Sequence, residues 1–359
     1  MRFNMNRKVL LLSLILSSIG VVMIYSASEI WAEFKYGNQY YYLSKQILFF
    51  AVGIIIMITV SKIHYGYYYK YANLIFFSSL IILILVLVPG IGSIRGGARS
   101  WIGVGQFSLQ PSEFIKLGLA IFVAKVLANN VFKSLKDYFG LLLIIVVVFL
   151  IIMLQPDFGT GVVIVSSMVL VLIISGLPIG TIVMVGVMGF AGLVMLIISA
   201  PYRMKRIFAF IDPWSDPLGS GFQIIQSLYA LVPGGLYGFG LGGSRQKYYY
   251  LPEPQTDFIF AIITEELGLL GSITILIIYL LLFYYILMIS IKSNSQFGTY
   301  LSLSIGILLF MQFIINIFVV IGLIPVTGVT LPFLSYGGSS LVLTLASMGI
   351  IINIAKEVK

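Results

Sequence analysis

Cysteine is absent from this chain of 359 residues, and histidine occurs once, at His64. The lack of cysteine excludes disulfides, thiolate metal sites and a catalytic thiol. A single histidine excludes a histidine metal cluster, and the sequence has neither a phosphate-binding GxxxxGK[ST] loop nor a dinucleotide-binding GxGxxG in a βαβ context. Charged residues are also scarce, at 9 % against about a quarter in soluble domains, so a water-soluble globular protein is excluded too.

Apolar and aromatic residues dominate instead, at 60 % of the chain. A bilayer requires apolar runs of roughly 20 residues, and flanking Tyr, Phe, Gly and Ser can complete shorter ones. Such runs recur at 9–27, 47–60, 74–88, 114–127, 139–154, 160–174, 179–198, 258–291, 301–323 and 341–354. The sequence therefore predicts an all-α, polytopic integral membrane protein with ten transmembrane helices.

The basic residues predict the orientation of these helices. Ten crossings from a cytoplasmic N-terminus leave only Lys35, Lys45, Arg95 and Arg99 in the short outer loops. The cytoplasmic side then holds Arg2, Arg7, Lys8, Lys62, Lys70, Lys125, Lys133, Lys136, Lys292, Lys356 and Lys359. This bias predicts both termini in the cytoplasm. It also accounts for the net charge of +9 through anionic membrane lipids, so nucleic acid is not expected as a partner.

Between the seventh and eighth predicted helices lies a long outer segment, residues 201–256. Long ordered loops are usually functional. Within it, residues 222–231 place apolar side chains at helical spacing, which predicts a short interfacial helix that Pro233, Gly234 and Gly235 end.

Charges near the fourth predicted helix suggest an anion site. Pro111 at the helix start and Glu113 in its first turn complement the positive helix end. Capping does not account for Lys116, which shares a face with Glu113 and needs a partner or an aqueous cavity within an apolar helix. Lys116 and Arg99 are therefore candidates to bind an anionic ligand.

Asp257 is predicted to open the eighth helix, either as its N-terminal acid or as a functional group. At about 100° per residue, Thr264 falls nearly beneath it, so a polar stripe is predicted to descend from Asp257 into the membrane. Glu265 and Glu266 lie deeper and are predicted to pair with neighbouring helices. A carboxylate at the water–lipid boundary near basic residues is suited to act as a general base.

At these motifs the sequence resembles the SEDS family (shape, elongation, division and sporulation), which includes FtsW, RodA and SpoVE. The matching segments cover nearly the whole chain: Val22-Met-Ile-Tyr-Ser-Ala27, Arg99-Ser-Trp-Ile-Gly103, Gln110-Pro-Ser-Glu-Phe-Ile-Lys116, Gln155-Pro-Asp-Phe-Gly-Thr160, Asp212-Pro-Trp214, Gly221-Phe-Gln-Ile-Ile-Gln-Ser227, Leu251-Pro-Glu-Pro-Gln-Thr-Asp-Phe-Ile-Phe260 and Pro325-Val-Thr-Gly-Val-Thr-Leu-Pro-Phe-Leu-Ser-Tyr-Gly-Gly-Ser-Ser340. Thr330 and residues 251–255 favour the FtsW/SpoVE branch over the RodA branch.

The resemblance implies a single SEDS-type domain over residues 1–359 in the bacterial cytoplasmic membrane. It implies polymerisation of lipid II into glycan strands at the outer face, in division or sporulation, with a class B penicillin-binding protein as transpeptidase partner alongside other divisome or sporulation cell-wall proteins. The family's essential aspartate corresponds to Asp257. Candidate substrate-binding residues are Lys116, Arg99, Glu113, Trp101, Gln110, Ser112, Arg203 and Glu253.

Three questions stay open at this stage. A lipid II flippase would use the same substrate without making bonds, although the ionisable residues concentrate at the outer mouth and thereby favour surface chemistry. A non-catalytic scaffold would make Asp257 dispensable. The sequence predicts no certain cofactor and leaves open a divalent cation, Mg²⁺ or Mn²⁺.

Overall fold

The computed structural model describes residues 5–95, 98–104, 107–130, 132, 134–248 and 250–358, and for residues 95, 104 and 107 the backbone only. Arg2, Lys133 and Lys359, which entered the charge count, lie outside the described residues, as does the side chain of Arg95.

Helices account for most of the described chain. They are α1 (Met5–Tyr36), α2 (Tyr41–Val60), α3 (Gly66–Leu85), α4 (Pro111–Asn129), α5 (Leu135–Met153), α6 (Phe158–Ile174), α7 (Ile179–Ile198), α8 (Pro201–Ile211), α9 (Phe222–Leu231), α10 (Ile259–Lys292), α11 (Gln296–Val320) and α12 (Gly338–Lys356). The helical fold class is thus confirmed.

In the described part of the chain, eight helices are long and apolar enough to cross a membrane: α1, α2, α3, α5, α7, α10, α11 and α12. The other two predicted spans coincide with α4 and α6. Helix α4 carries Glu113, Lys116 and Lys125, and α6 has 17 residues. Ten crossings therefore remain a prediction for which eight helices qualify by length and composition alone.

A small antiparallel sheet precedes α4, where the sequence predicts only a loop. Strand β1 (Gly92–Arg95) pairs with β2 (Ala98–Val104), which pairs with β3 (Phe107–Leu109). While the all-α class holds for the bundle, the prediction of a loop is wrong at this segment. Its strands are too short and rich in glycine to show a clear alternating pattern, and pairing between them stabilises the extended backbone.

The long segment 201–256 contains two helices. Helix α9 spans Phe222–Leu231, which confirms the prediction for 222–231. Helix α8 was not predicted; Pro201 occupies its first turn, where a missing N–H costs nothing.

Helix α10 is interrupted at Gly268, which has φ 65° and ψ −167°. The segment around Gly238 lies against this interruption and takes up its free backbone groups. Phe239 and Gly240 N–H donate to the carbonyls of Glu265 and Glu266 (3.1 and 3.0 Å), and the N–H groups of Leu269 and Leu270 donate to Gly235 and Leu236 (2.9 and 3.2 Å). Such pairing is required within a bilayer, where water cannot satisfy broken helical hydrogen bonds.

Two buried glutamates of α10 bind the same segment. Glu265 accepts hydrogen bonds from Ser244 Oγ (2.5 Å) and from the N–H of Arg245 (2.9 Å). The prediction that these glutamates pair with neighbouring helices is therefore wrong for Glu265, whose partners lie in a loop.

Glu266 joins α10 to α1. It accepts from Ser26 Oγ of α1 at 2.7 and 2.6 Å. The fully buried Lys247 Nζ lies 2.7 Å from Glu29 and 3.7 Å from Glu266. Because breaking one partner of a buried charge network costs several kcal/mol, this network fixes the N-terminal part of α10 against α1.

Both described chain ends lie at one end of the helical bundle, as an even number of crossings requires. Lys8 Nζ donates to Tyr285 Oη near the end of α10 (3.1 Å), and Asn294 Nδ2 donates to the Glu357 carbonyl (2.6 Å). The connection between α2 and α3 is at the same end, where His64 contacts Glu357 at 2.8 Å. Asp257 lies at the opposite end, among the starts of α4, α6, α10 and α12.

Candidate active site

Asp257 lies on a loop held by hydrogen bonds to its backbone. Ser335 Oγ donates to the Thr256 carbonyl at 2.6 Å, and Tyr336 N–H donates to the Gln255 carbonyl at 2.8 Å. Asn316 Nδ2 donates to the Asp257 carbonyl at 2.8 Å. The segment 325–340 and helix α11 thus fix the main chain of Asp257 and leave its side chain free.

The predicted polar stripe below Asp257 is wrong. Helix α10 begins at Ile259 with Phe258 as its N-cap. Asp257 therefore precedes the helix, and helical spacing does not predict where its side chain lies relative to Thr264. Thr264 instead donates to the Phe260 carbonyl (2.9 Å) and accepts from Ser272 Oγ (2.9 Å).

The carboxylate of Asp257 is half-buried and accepts no hydrogen bond from the described residues. Burial raises the pKa of Asp257 to about 6, and the negative charges of Glu253 and Asp157 add to this increase. The positive charge of Arg206 acts in the opposite direction. A carboxyl group with such a pKa is ionised at neutral pH yet basic enough to accept a proton in a reaction.

Asp157 is a neighbour that the sequence did not single out as a site residue. It caps α6 by accepting from Thr160 N–H (3.2 Å) and also accepts from Gln110 Nε2 (3.3 Å). Burial raises the pKa of Asp157, and the charge of Lys116 opposes this increase. Gln110 N–H in turn donates to Ser339 Oγ (3.3 Å), so the predicted residue Gln110 connects the starts of α4, α6 and α12.

Glu113 and Lys116 form a buried ion pair of 2.7 Å, with 8 % and 6 % of their side chains exposed. Lys116 Nζ also donates to Gln312 Oε1 of α11 (3.0 Å), and Gln312 Nε2 donates to the Thr330 carbonyl (3.0 Å). Glu113, Lys116 and Gln312 border a narrow pocket. Lys116 would have to exchange a partner in order to contact an anionic ligand directly.

Arg99 and Trp101 lie on β2. Arg99 Nη1 is 3.5 Å from the Leu87 carbonyl, and the Trp101 carbonyl accepts from Ser93 Oγ at 3.2 Å. The sheet therefore connects both candidates to the end of α3.

The other predicted residues lie in different environments, and of these Glu253 acts electrostatically on Asp257. Arg203 is stacked over Phe158 at 5.6 Å and donates to the Leu196 carbonyl at 2.8 Å. Glu253 is exposed, with a positive φ of 51°. Ser112 is buried, and its hydroxyl has no hydrogen-bond partner among the described residues.

No group of three or more His, Asp or Glu that could hold a metal ion is found among the residues that the structure describes. Mg²⁺ is commonly bound by one or two carboxylates together with substrate phosphates. Asp257 and Asp157 could supply two such carboxylates. Binding of a divalent cation stays a prediction.

A helical bundle with a free carboxylate at one mouth defines the class: a polytopic membrane protein with a polar site at the bilayer surface. The model of the cell cycle protein family FtsW/RodA/SpoVE matches residues 6–359, and the chain belongs to this family.

Individual relatives agree over nearly their whole length. Stage V sporulation protein E of Bacillus subtilis (strain 168) is 47 % identical, with 96 % of this chain and 95 % of the relative covered. A probable peptidoglycan glycosyltransferase FtsW of Geobacter sp. (strain M18) is 38 % identical, with 98 % and 96 % covered.

Solved structures share the fold. A chain from a peptidoglycan synthase complex, studied for its coordination of polymerization and crosslinking, matches with a TM-score of 0.80 and 30 % identity over 97 % of this chain and 96 % of that one. The rod shape determining protein RodA of Thermus thermophilus matches with a TM-score of 0.73 and 26 % identity over 97 % and 95 %. The predicted family is confirmed.

Proposed function

We propose that this protein is a peptidoglycan glycosyltransferase that polymerises lipid II into glycan strands at the outer face of the cytoplasmic membrane, in division or sporulation. Family membership supports the class of reaction. The observation that carries the assignment to a site is the free carboxylate of Asp257, with its pKa raised to about 6, on a loop fixed by Ser335 and Asn316.

In the proposed reaction Asp257 is the general base. It accepts the proton of the acceptor GlcNAc 4-hydroxyl as that oxygen attacks C1 of the donor MurNAc. The C1–O bond to undecaprenyl pyrophosphate breaks, its electron pair leaves with the pyrophosphate, and the α-linkage is inverted to a β-1,4 bond. Such base assistance is typically worth about 10²–10⁴ in rate.

The remaining candidates supply charge and shape. Lys116, Arg99 and Arg203 provide positive charge toward the pyrophosphate end of the substrate, and a divalent cation could add to it. Trp101 borders the sugar groove. Gln110, Ser112, Glu113 and Glu253 complete the proposed substrate-binding set.

The partner that we propose is a class B penicillin-binding protein, which would crosslink the nascent strands. The structural match to a chain of a peptidoglycan synthase complex supports this pairing. Both termini are proposed to be cytoplasmic, so that Asp257 faces the outside.

The decisive experiment assays purified protein with lipid II in detergent, where no second leaflet exists, with and without the cognate transpeptidase. Asp257→Asn should reduce glycan synthesis by at least about 10²-fold while the thermal unfolding temperature stays unchanged, because the carboxylate makes no described hydrogen bond. Glu33→Asn, an exposed acid near the end of α1, is the matched control and should keep full activity.

Two results would contradict the proposal. Undiminished polymer from the Asp257→Asn variant would refute the assignment of Asp257 as the general base and favour a non-catalytic scaffold. Translocation of lipid II in vesicles without any glycan product in detergent would favour the flippase.

A further inference from the structure

A second pocket lies beside the Asp257 loop, between α8, the start of α9 and residues 252 and 326. Its polar lining includes Lys205, Arg206, Ser220 and Gln223. Among the described residues, no acidic side chain lines it. A pocket of this charge suits an anionic group.

The pocket is connected to Asp257 by the chain segment that forms its wall. Arg206 Nη1 donates to the Val326 carbonyl at 2.9 Å. Two residues further on, Gly328 lies so close to Asp257 that a Cβ atom there would be 3.7 Å from Oδ2. The cationic side of the pocket and the carboxylate therefore flank the same short segment.

Lys205 and Arg206 are available to a ligand. Both are exposed. Lys205 makes no ion pair or hydrogen bond with the described residues, and Arg206 uses one nitrogen for Val326. Asp216, whose charge interacts with Lys205, is itself occupied by Ser220 N–H at 2.7 Å. By contrast, Lys116 is buried and already has two partners.

The side of α8 away from these cations is apolar. Phe208 and Ile211 of α8 are 60 % and 70 % exposed, and Leu218 is 89 % exposed. At about 100° per residue, Ile211 falls opposite the face that carries Lys205 and Arg206. A helix with cations on one face and exposed apolar side chains on the other suits a bilayer surface, where a lipid has its charged head and its hydrocarbon tail.

From this arrangement we infer that Lys205 and Arg206 form a subsite for the pyrophosphate of a polyprenyl pyrophosphate, with the prenyl chain in the bilayer beside the apolar face of α8. The inference rests on the proposed function and adds these two cations of α8 to Lys116, Arg99 and Arg203, which are proposed there to face the pyrophosphate. When the C1–O bond of the donor breaks, the electron pair moves to the pyrophosphate oxygen, and the two cations stabilise the resulting charge while Asp257 takes the acceptor proton.

Binding of undecaprenyl pyrophosphate to the purified full-length chain in detergent, measured by microscale thermophoresis, tests the subsite. The variant Lys205→Gln/Arg206→Gln should lose affinity by roughly 10- to 100-fold, as expected for two charge-assisted contacts. Lys205→Gln alone should lose severalfold, and its folding is not at risk because the side chain has no described partner. Lys35→Gln, an exposed cation at the end of α1, is the charge-matched control and should bind like the wild type.

A parallel titration with phosphatidylglycerol separates the two sources of a lipid phosphate. Loss of undecaprenyl pyrophosphate binding with unchanged phosphatidylglycerol binding supports the subsite. Equal loss for both lipids would overturn it in favour of a general contact with anionic lipid, and wild-type affinity in Lys205→Gln and the double variant would overturn it outright. Asp257→Asn should keep its affinity for undecaprenyl pyrophosphate, so failure of the base assignment and failure of this subsite give different results.

Discussion

At the scale of single residues, the proposed site depends on one carboxylate, on a fixed backbone, whose oxygens accept no hydrogen bond from the residues that the structure describes. Ser335 and Asn316 hold the carbonyls on either side of the Asp257 α-carbon. The side chain is thereby kept in a partly desolvated position, and its carboxylate accepts no hydrogen bond from the described residues. The pH dependence of activity should report this environment.

We expect kcat/KM to rise with pH through about 6, because Asp257 must be ionised to accept a proton. Glu253→Gln removes a negative charge that raises the pKa of Asp257, so the rising limb should move to lower pH. Arg206→Gln removes a charge that lowers this pKa and should move the limb to higher pH. Glycan synthesis followed from pH 4.5 to 8 measures both shifts; a limb that is unaffected by either variant would contradict the assignment of this pKa to Asp257.

The Glu113–Lys116 pair makes a second prediction at this scale. Removing one member leaves a buried charge unpaired, so Glu113→Gln or Lys116→Met should each cost about 3–5 kcal/mol of stability. The double variant should cost less than the sum of the two. Chemical denaturation of the four proteins measures this coupling, and additive losses would show that the pair is not a unit.

At the scale of elements, the packing of the N-terminal part of α10 (259–267) depends on the interruption at Gly268. The backbone there has φ 65° and ψ −167°, a region essentially confined to glycine, and an added Cβ would collide with Gly238 and Leu236. The loop at 235–240 can pair with α10 only while this conformation is kept.

Gly268→Ala should therefore lower stability by at least about 1–3 kcal/mol and detach the loop at 235–240 from α10. Gly189→Ala in α7 is the matched control, since nothing lies within 4 Å of its added Cβ and a helical alanine is favoured over glycine. Thermal unfolding in one detergent compares the two. Equal unfolding temperatures would mean that the backbone at Gly268 tolerates a side chain without strain, which would contradict the prediction.

Elements also show where prediction from sequence succeeds. Helix α9 was predicted at its observed bounds because apolar residues recur at helical spacing and Pro233, Gly234 and Gly235 end it. Helix α8 was missed although Met204, Ile207, Phe208 and Ile211 recur at helical spacing, a pattern that could have predicted it. Strand β2 was missed because its residues show no clear alternation, and pairing with neighbouring strands selects its conformation.

At the scale of the whole molecule, the described chain ends share one end of the bundle and Asp257 lies at the other. The absence of cysteine makes the orientation directly testable by introducing single cysteines. Leu218→Cys, at an 89 % exposed position near the Asp257 end, should react with a membrane-impermeant maleimide on intact cells. Lys62→Cys, exposed at the opposite end, should react only after permeabilisation. The reverse pattern would place Asp257 in the cytoplasm and contradict the proposed function.

The sequence by itself determined the membrane class and the family, because these depend on composition and on contiguous motifs, and the same motifs single out Asp257 as the proposed base. It also placed Glu113 and Lys116 on one face, since helical spacing is local. Only the tertiary structure decided that Lys116 is engaged by Gln312, that Asp157 and Arg206 act on Asp257, and that the exposed cations beside the carboxylate are on α8. These relations join residues that are far apart in the chain, and they arise from packing between helices, on which local sequence pattern carries no information.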